Sequence, residues 1–187
     1  MAASQRRLSH SEPSAQASYD LWLEPLPVEV ARLMLAGKLR AARVDAESVG
    51  PKQPPWHPEY PLLDSIDAIA MLFASHRAML GAVNESPIWW IHQIIVDGVV
   101  VGDIGFHGPP GPERAVEIGY SVVPAWRGRG VASQACALIL QQAWQDGADT
   151  VIAETDADNV ASQAVLLRNG FQRCPDGAFM IDRPEAR

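Results

Sequence analysis

Apolar and polar positions along this chain change period several times, and each change marks an element. Residues 19–23 alternate apolar side chains about Asp20 and read as a first strand, broken by Pro25 and Pro27. Val30, Leu33 and Met34 then recur at helical spacing, which predicts a helix over 28–36 with Pro27 near its start and Gly37 past its end. Residues 39–44 fit either a short strand or more helix, and are assigned to strand. Ile66, Ile69, Ala70, Phe73 and Leu80 define a helix from Ser65 to about Leu80, with Asp64 as its N-cap and Gly81 and Asn84 at its end. Two apolar runs, 89–96 and 99–106, are joined by Asp97-Gly98, a dipeptide that accepts the positive φ angles of a type I′ hairpin turn. A longer turn, His107-Gly-Pro-Pro-Gly-Pro112, leads into a strand over 114–123. Three consecutive antiparallel strands follow from this pattern.

Beyond residue 130 the helical period returns. Val131, Ala135, Leu138, Ile139 and Trp144 form the buried stripe of a helix over 131–146, stopped by Gly147. A strand over 150–154, a helix over 159–169 stopped by Gly170, and strands over 171–174 and 177–183 complete an α/β mixture. The irregular stretch is 45–64, where Pro51, Pro54, Pro55, Pro58 and Pro61 exclude a long helix. Its Trp56 and Tyr60 either cover core edges or form a wall of an acceptor-substrate pocket.

Length and composition narrow the class. The 187 residues suit one domain with a substantial core, and a net charge of −7 without a basic tract argues against nucleic acid as a partner. No apolar run is long enough to span a membrane. Residues 1–18, rich in Ser, Ala and Gln, read as a flexible tail ahead of a domain over 19–187. Cys136 and Cys174 make no disulfide framework, and no Cys/His spacing suggests a metal. A reduced, cytoplasmic protein, monomer or homodimer, is the expectation.

The chemistry concentrates where the strand over 114–123 meets the following helix. Pro124 starts a tight turn, and Arg127-Gly128-Arg129-Gly130 opens the helix. Two glycines let backbone pass close to a ligand, and a helix N-terminus offers unpaired N–H groups and positive potential. Together they make a phosphate site. A P-loop would need a lysine after the second glycine, and a dinucleotide fold would need a third glycine within a parallel βαβ unit; neither is present.

Arg127-Gly-Arg-Gly-Val-Ala132 resembles the Arg/Gln-x-x-Gly-x-Gly/Ala turn of the GNAT N-acetyltransferase superfamily, and lies at that family's place between fourth strand and helix. Asn159-Val-Ala-Ser162, Leu166 and Asn169-Gly170-Phe171 are similar to a segment of its RimJ/RimL-like branch. The resemblance implies a central mixed, mostly antiparallel sheet of about seven strands flanked by about four helices. It implies acetyl-CoA as co-substrate, with Arg127, Gly128, Arg129, Gly130, Val131, Ala132 and Ser133 around the pyrophosphate. Val122 and Val123 would pair with the pantetheine amides, and Asn159 would contact CoA while capping its helix.

Acetyl transfer to a primary amine needs a base, a held amine, oxyanion stabilisation and a leaving thiolate. Glu117 shares a strand face with the small Gly119 and Ser121, which leaves space beside it and makes it the candidate base. Many family members protonate the thiolate with a tyrosine where this chain has Leu166, so Ser162 is the candidate donor. Tyr120 is a reserve on a face with Ile118 and Val122 that reads as core, and His57, His92 and His107 read as lone surface or core residues. Acidic Glu59, Asp64 and Asp67 suit a cationic acceptor, a small-molecule or peptide amine. The rival expectations are a non-catalytic acyl-CoA-binding sensor or scaffold, and a transferase using a longer acyl donor.

Overall fold

The computed structural model describes residues 19–48, 54–75 and 89–185. Seven strands form one sheet: β1 (Leu21–Pro25), β2 (Ile91–Val96), β3 (Val99–Phe106), β4 (Ala115–Val122), β5 (Thr150–Ala153), β6 (Gln172–Arg173) and β7 (Phe179–Asp182), in the order β1-β2-β3-β4-β5-β7-β6. All neighbours are antiparallel except β4 and β5. The helices are α1 (Val28–Leu35), α2 (Leu39–Ser48), α3 (Leu63–Ser75), α4 (Val131–Gln145) and α5 (Val160–Arg168). The mixed, mostly antiparallel sheet that the family resemblance implies is therefore present.

Local chemistry accounts for the elements. Asp97 and Gly98 turn the β2–β3 hairpin with φ of 49° and 80°, the signature of a type I′ turn. Every residue of β2 is buried, which fits a central strand covered on both faces. Cross-strand pairing sets the two faces of β4. Ser121 lies opposite Asp103 and Gly119 opposite Gly105, and the Ser121 hydroxyl meets that of Ser65 in α3 at 3.1 Å. Tyr120 points the other way, to α5. Helix α3 thus meets β4 on the Ser121 face, and α5 meets it on the opposite one at Tyr120.

Residues 39–44 are helical, not strand. Leu39-Arg-Ala-Ala-Arg is a run of strong helix formers, and Ala42 packs fully buried against the core. Arg43 from the same helix ties down the proline-rich connector by donating to the carbonyls of Trp56 (3.4 Å), Pro58 (3.2 Å) and Tyr60 (2.6 Å). Trp90 is 1% exposed and donates its indole N–H to the Leu26 carbonyl at 2.6 Å. The expected tail over 1–18 and the end of the α3 helix at 76–84 lie outside the described residues.

Candidate active site

The site begins as a parting of strands. β4 and β5 are paired only from Ala115 to Glu117, while β4 continues to Val122. The Glu117 carbonyl and the Val123 N–H both bond toward β3, to His107 and Val101, each at 2.9 Å. By strand alternation, the backbone groups of Tyr120 and the N–H of Val122 face the gap with no strand opposite. An open strand edge inside a fold is a place for an extended ligand to pair.

A cleft of about 530 Å³ runs along that edge, lined by Tyr120, Val122, Trp126, Arg127, Gly128, Gly130, Val131, Ala132, Ser133, Asn159, Ser162 and Arg168 among others. Gly128 and Gly130 have φ of 72° and 84°, a backbone that side chains rarely adopt. Nothing lies within 4 Å of where a Cβ on Gly128 would sit, so the turn is an open cradle. Gly130 caps α4 without a side chain, leaving the first-turn N–H groups directed at the cleft. The two arginines of the turn have other work. Arg127 Nε donates to the Val122 carbonyl at 2.8 Å, fastening the end of β4. The Arg129 guanidinium stacks 5.0 Å above the Trp126 ring, and its carbonyl accepts the Tyr19 hydroxyl at 3.0 Å.

Most of the expected donor-side residues therefore come together, with two exceptions. Val123 is fully buried and its N–H is already taken by Val101, so it has none to offer a ligand. Arg129 is not among the cleft-lining residues. Arg168, on α5, lines the cleft instead, a cation that no local motif singles out. Asn159 Oδ1 accepts the Ser162 N–H at 3.1 Å, which makes it the N-cap of α5 at the cleft wall.

A second cleft of about 250 Å³ opens on the α3 side, lined by Asp64, Ala68, Leu72, Ile91, Asp103, Gly105, Phe106, His107, Gly119, Tyr120 and Ser121. Asp64, Tyr120 and Ser121 belong to both clefts, so the two meet there. Two glycines on adjacent strands, Gly105 and Gly119, lie opposite each other among the lining residues. Asp103 accepts the Ser121 hydroxyl at 2.9 Å, and burial pushes its carboxyl up to about 6. Behind it, burial and then the Asp103 charge hold the Tyr60 phenol well above its usual range.

Trp56 and Tyr60 line neither cleft. They are 7% and 1% exposed, their rings meet edge to face at 5.1 Å, and Trp56 bridges to Val100 of β3. The connector thus adds its aromatics to the core, where their apolar area is removed from water.

At the junction, the Tyr120 hydroxyl lies 2.7 Å from Ser162 Oγ. Tyr120 does point away from Glu117, as the alternation requires, but that face is open where β5 diverges, so the residue is half-buried at the site rather than in the core. Burial pushes its phenol up to about 12. Leu166 is fully buried. Glu117 lines neither cleft, and its carboxylate stands 2.9 Å from Nδ1 of His107, which lines the second. That hydrogen bond, against some desolvation, holds the carboxyl below its usual range.

A splayed strand pair, a glycine cradle at a helix N-terminus and a second cleft beyond it define an acyl-CoA-dependent transferase architecture. The chain belongs to the acetyltransferase (GNAT) domain family, whose model matches residues 38–172. It is 36% identical over 76 residues to the uncharacterised N-acetyltransferase YoaA of Bacillus subtilis, a match over 40% of this chain and 42% of that protein's length. Among solved structures it is similar in fold to Mycobacterium smegmatis RimJ in complex with CoA-disulfide, with a TM-score of 0.54, 21% identity and coverage of 87% of this chain and 81% of that one. It is similar also to yncA of Salmonella typhimurium, solved with its cofactor acetyl-CoA, with a TM-score of 0.55, 16% identity and coverage of 89% and 95%.

Proposed function

We propose that the protein transfers an acetyl group from acetyl-CoA to a primary amine by direct attack, with both substrates bound at once. The observation that carries this reading is the meeting of two clefts at Tyr120 and Ser121, where β4 has an unpaired edge. The residues of the larger cleft fit CoA. Gly128, Gly130 and the first turn of α4 suit the pyrophosphate, and Arg168 adds positive charge. The backbone of Tyr120 and Val122 suits an extended amide chain leading to the junction. Acetyl-CoA supplies an activated acyl group there, and an N–H on the open edge faces where the carbonyl oxygen develops charge.

Tyr120 and Ser162 are the groups at the leaving-sulfur end. A phenol at about 12 is a weaker acid than a thiol with an ordinary value near 8.5, so full proton transfer would run uphill by roughly 5 kcal/mol. The pair therefore stabilises the thiolate by hydrogen bonding. Tyr120 supplies the hydroxyl that Leu166 cannot, which favours a catalytic reading over a non-catalytic one. The base lies in the Glu117–His107 pair. The smaller cleft, with Asp64 and Asp103 on its walls, suits the amine-bearing end of a cationic acceptor, a peptide N-terminus or a small-molecule amine.

The test is thiol release from acetyl-CoA across a panel: an Ala-terminated tripeptide, a Ser-terminated tripeptide, spermidine, an aminoglycoside and an amino-acid amide. Amine-dependent release with a matching acetylated product supports the reading. CoA binding without release for any amine overturns it.

A further inference from the structure

Resting on the acetyltransferase reading, we infer that His107, and not Glu117, takes the proton from the acceptor ammonium, with Glu117 as the positioning residue behind it. Glu117 was the natural choice from sequence because its side chain shares a face with Gly119 and Ser121. In the structure that carboxylate lines neither cleft, whereas His107 lines the acceptor cleft. The two residues are paired twice. The His107 backbone N–H donates to the Glu117 carbonyl at 2.9 Å, and Nδ1 of the ring stands 2.9 Å from Oε1 of the carboxylate.

This pairing sets the tautomer. A carboxylate only accepts, so Nδ1 carries the hydrogen and Nε2 keeps its lone pair. Nε2 lies over Gly119, 2.8 Å from where a Cβ on that residue would be. The missing side chain is what lets the ring lie across the strand with its free nitrogen beside the cleft. Asp64 from α3 and Asp103 from β3 line the same cleft, and Glu117 is on the far side of the ring. All of these charged neighbours are acidic, so they favour an incoming ammonium.

The step balances as follows. His107 Nε2 takes one proton from the ammonium, leaving a neutral amine with a lone pair. The amine nitrogen bonds to the thioester carbon, and the carbon–sulfur bond breaks with its electron pair on sulfur. The second proton leaves nitrogen for the sulfur, giving amide and thiol, and the imidazolium returns its proton to solvent.

Four measurements test this. His107→Gln is expected to lower kcat by about 10²-fold or more with KM for acetyl-CoA unchanged, the scale of a lost general base. His107→Ala is expected to regain rate with added imidazole, which a structural role would not allow. Glu117→Gln is expected to lose less, about tenfold, because an amide still holds the ring but without charge. Nitrogen-15 spectra of histidine-labelled protein, with His107 assigned by the Gln variant, are expected to show the Nδ1–H tautomer at pH 8. A His107→Gln rate within threefold of the unaltered protein overturns the assignment while leaving acetyl transfer standing. So does a Glu117→Gln loss larger than that of His107→Gln. An Nε2–H tautomer overturns it without any turnover at all, and absence of amine-stimulated release overturns the acetyltransferase reading on which it rests.

Discussion

The Tyr120 hydroxyl stands 2.7 Å from Ser162 Oγ, joining β4 to the first turn of α5 across the mouth of the donor cleft. One hydroxyl can donate to the other and leave a hydrogen free for a third atom. Tyr120→Phe is therefore expected to lower kcat by about tenfold to a hundredfold with little change in KM for acetyl-CoA. Ser162→Ala is expected to lose less, because the phenol remains. Steady-state kinetics of both and of the double variant measure the coupling. Equal, additive losses would show that the pair does not act as a unit.

Asp103 gives a pH-dependent stability of unusual sign. Its carboxyl rises from the ordinary 3.8 to about 6 on folding, chiefly through burial. Between those values the folded chain binds more protons than the unfolded one, so this group's stabilisation is full below the unfolded value and is lost as pH rises through about 6. The difference amounts to roughly 3 kcal/mol. Asp103→Asn is expected to remove that decline, so its unfolding free energy relative to the unaltered protein increases between pH 4 and pH 7. Denaturant titrations across that range measure it, and parallel curves for the two proteins would sink the idea.

Gly130 caps α4 at φ 84°, with only the Tyr19 hydroxyl near a would-be Cβ, at 3.6 Å. Space is available, so Gly130→Ala tests the backbone alone. It is expected to cost about 1 kcal/mol in stability and to weaken CoA binding several-fold, as the first-turn N–H groups turn from the cradle. Calorimetric titration with CoA and thermal unfolding measure the two effects.

Arg127 and Arg168 line the same cleft but differ in function. Arg168 is an exposed cation, and Arg168→Ala is expected to raise KM for acetyl-CoA a few-fold at low salt, with the difference fading at high ionic strength. Arg127 holds the Val122 carbonyl, and Arg127→Ala is expected to impair binding to a similar degree at all salt concentrations. Acetyl-CoA affinity measured across a salt series separates the two.

The elements that depend on near neighbours were legible before any coordinates. Asp97-Gly98 specified the hairpin, Gly130 and Gly147 bounded α4, and Asn159 capped α5, because turn and cap chemistry is decided within a few residues. Residues 39–44 fit strand or helix by pattern, and the helix propensity of the alanines and arginines between Leu39 and Val44 decides for helix.

The misplaced site residues share a different cause. Trp56 and Tyr60 sit in an irregular connector, and whether such aromatics face a cleft or the core depends on what covers them. His107 has no local signal at all, since its partner Glu117 is reached only through the antiparallel register of β3 and β4.

By itself, then, the sequence determined the order of elements outside residues 39–44, the α/β class and the glycine turn before α4, since each is written in contiguous residues and short-range sterics. Tertiary structure alone decided that β4 parts from β5 after Glu117, that Tyr120 thereby meets Ser162 instead of the core, and that Arg127 clasps a strand end. It also set His107 against Glu117 with Nε2 over Gly119. Those contacts join residues far apart in the chain, and only the pairing register and packing of the sheet fix which of them touch.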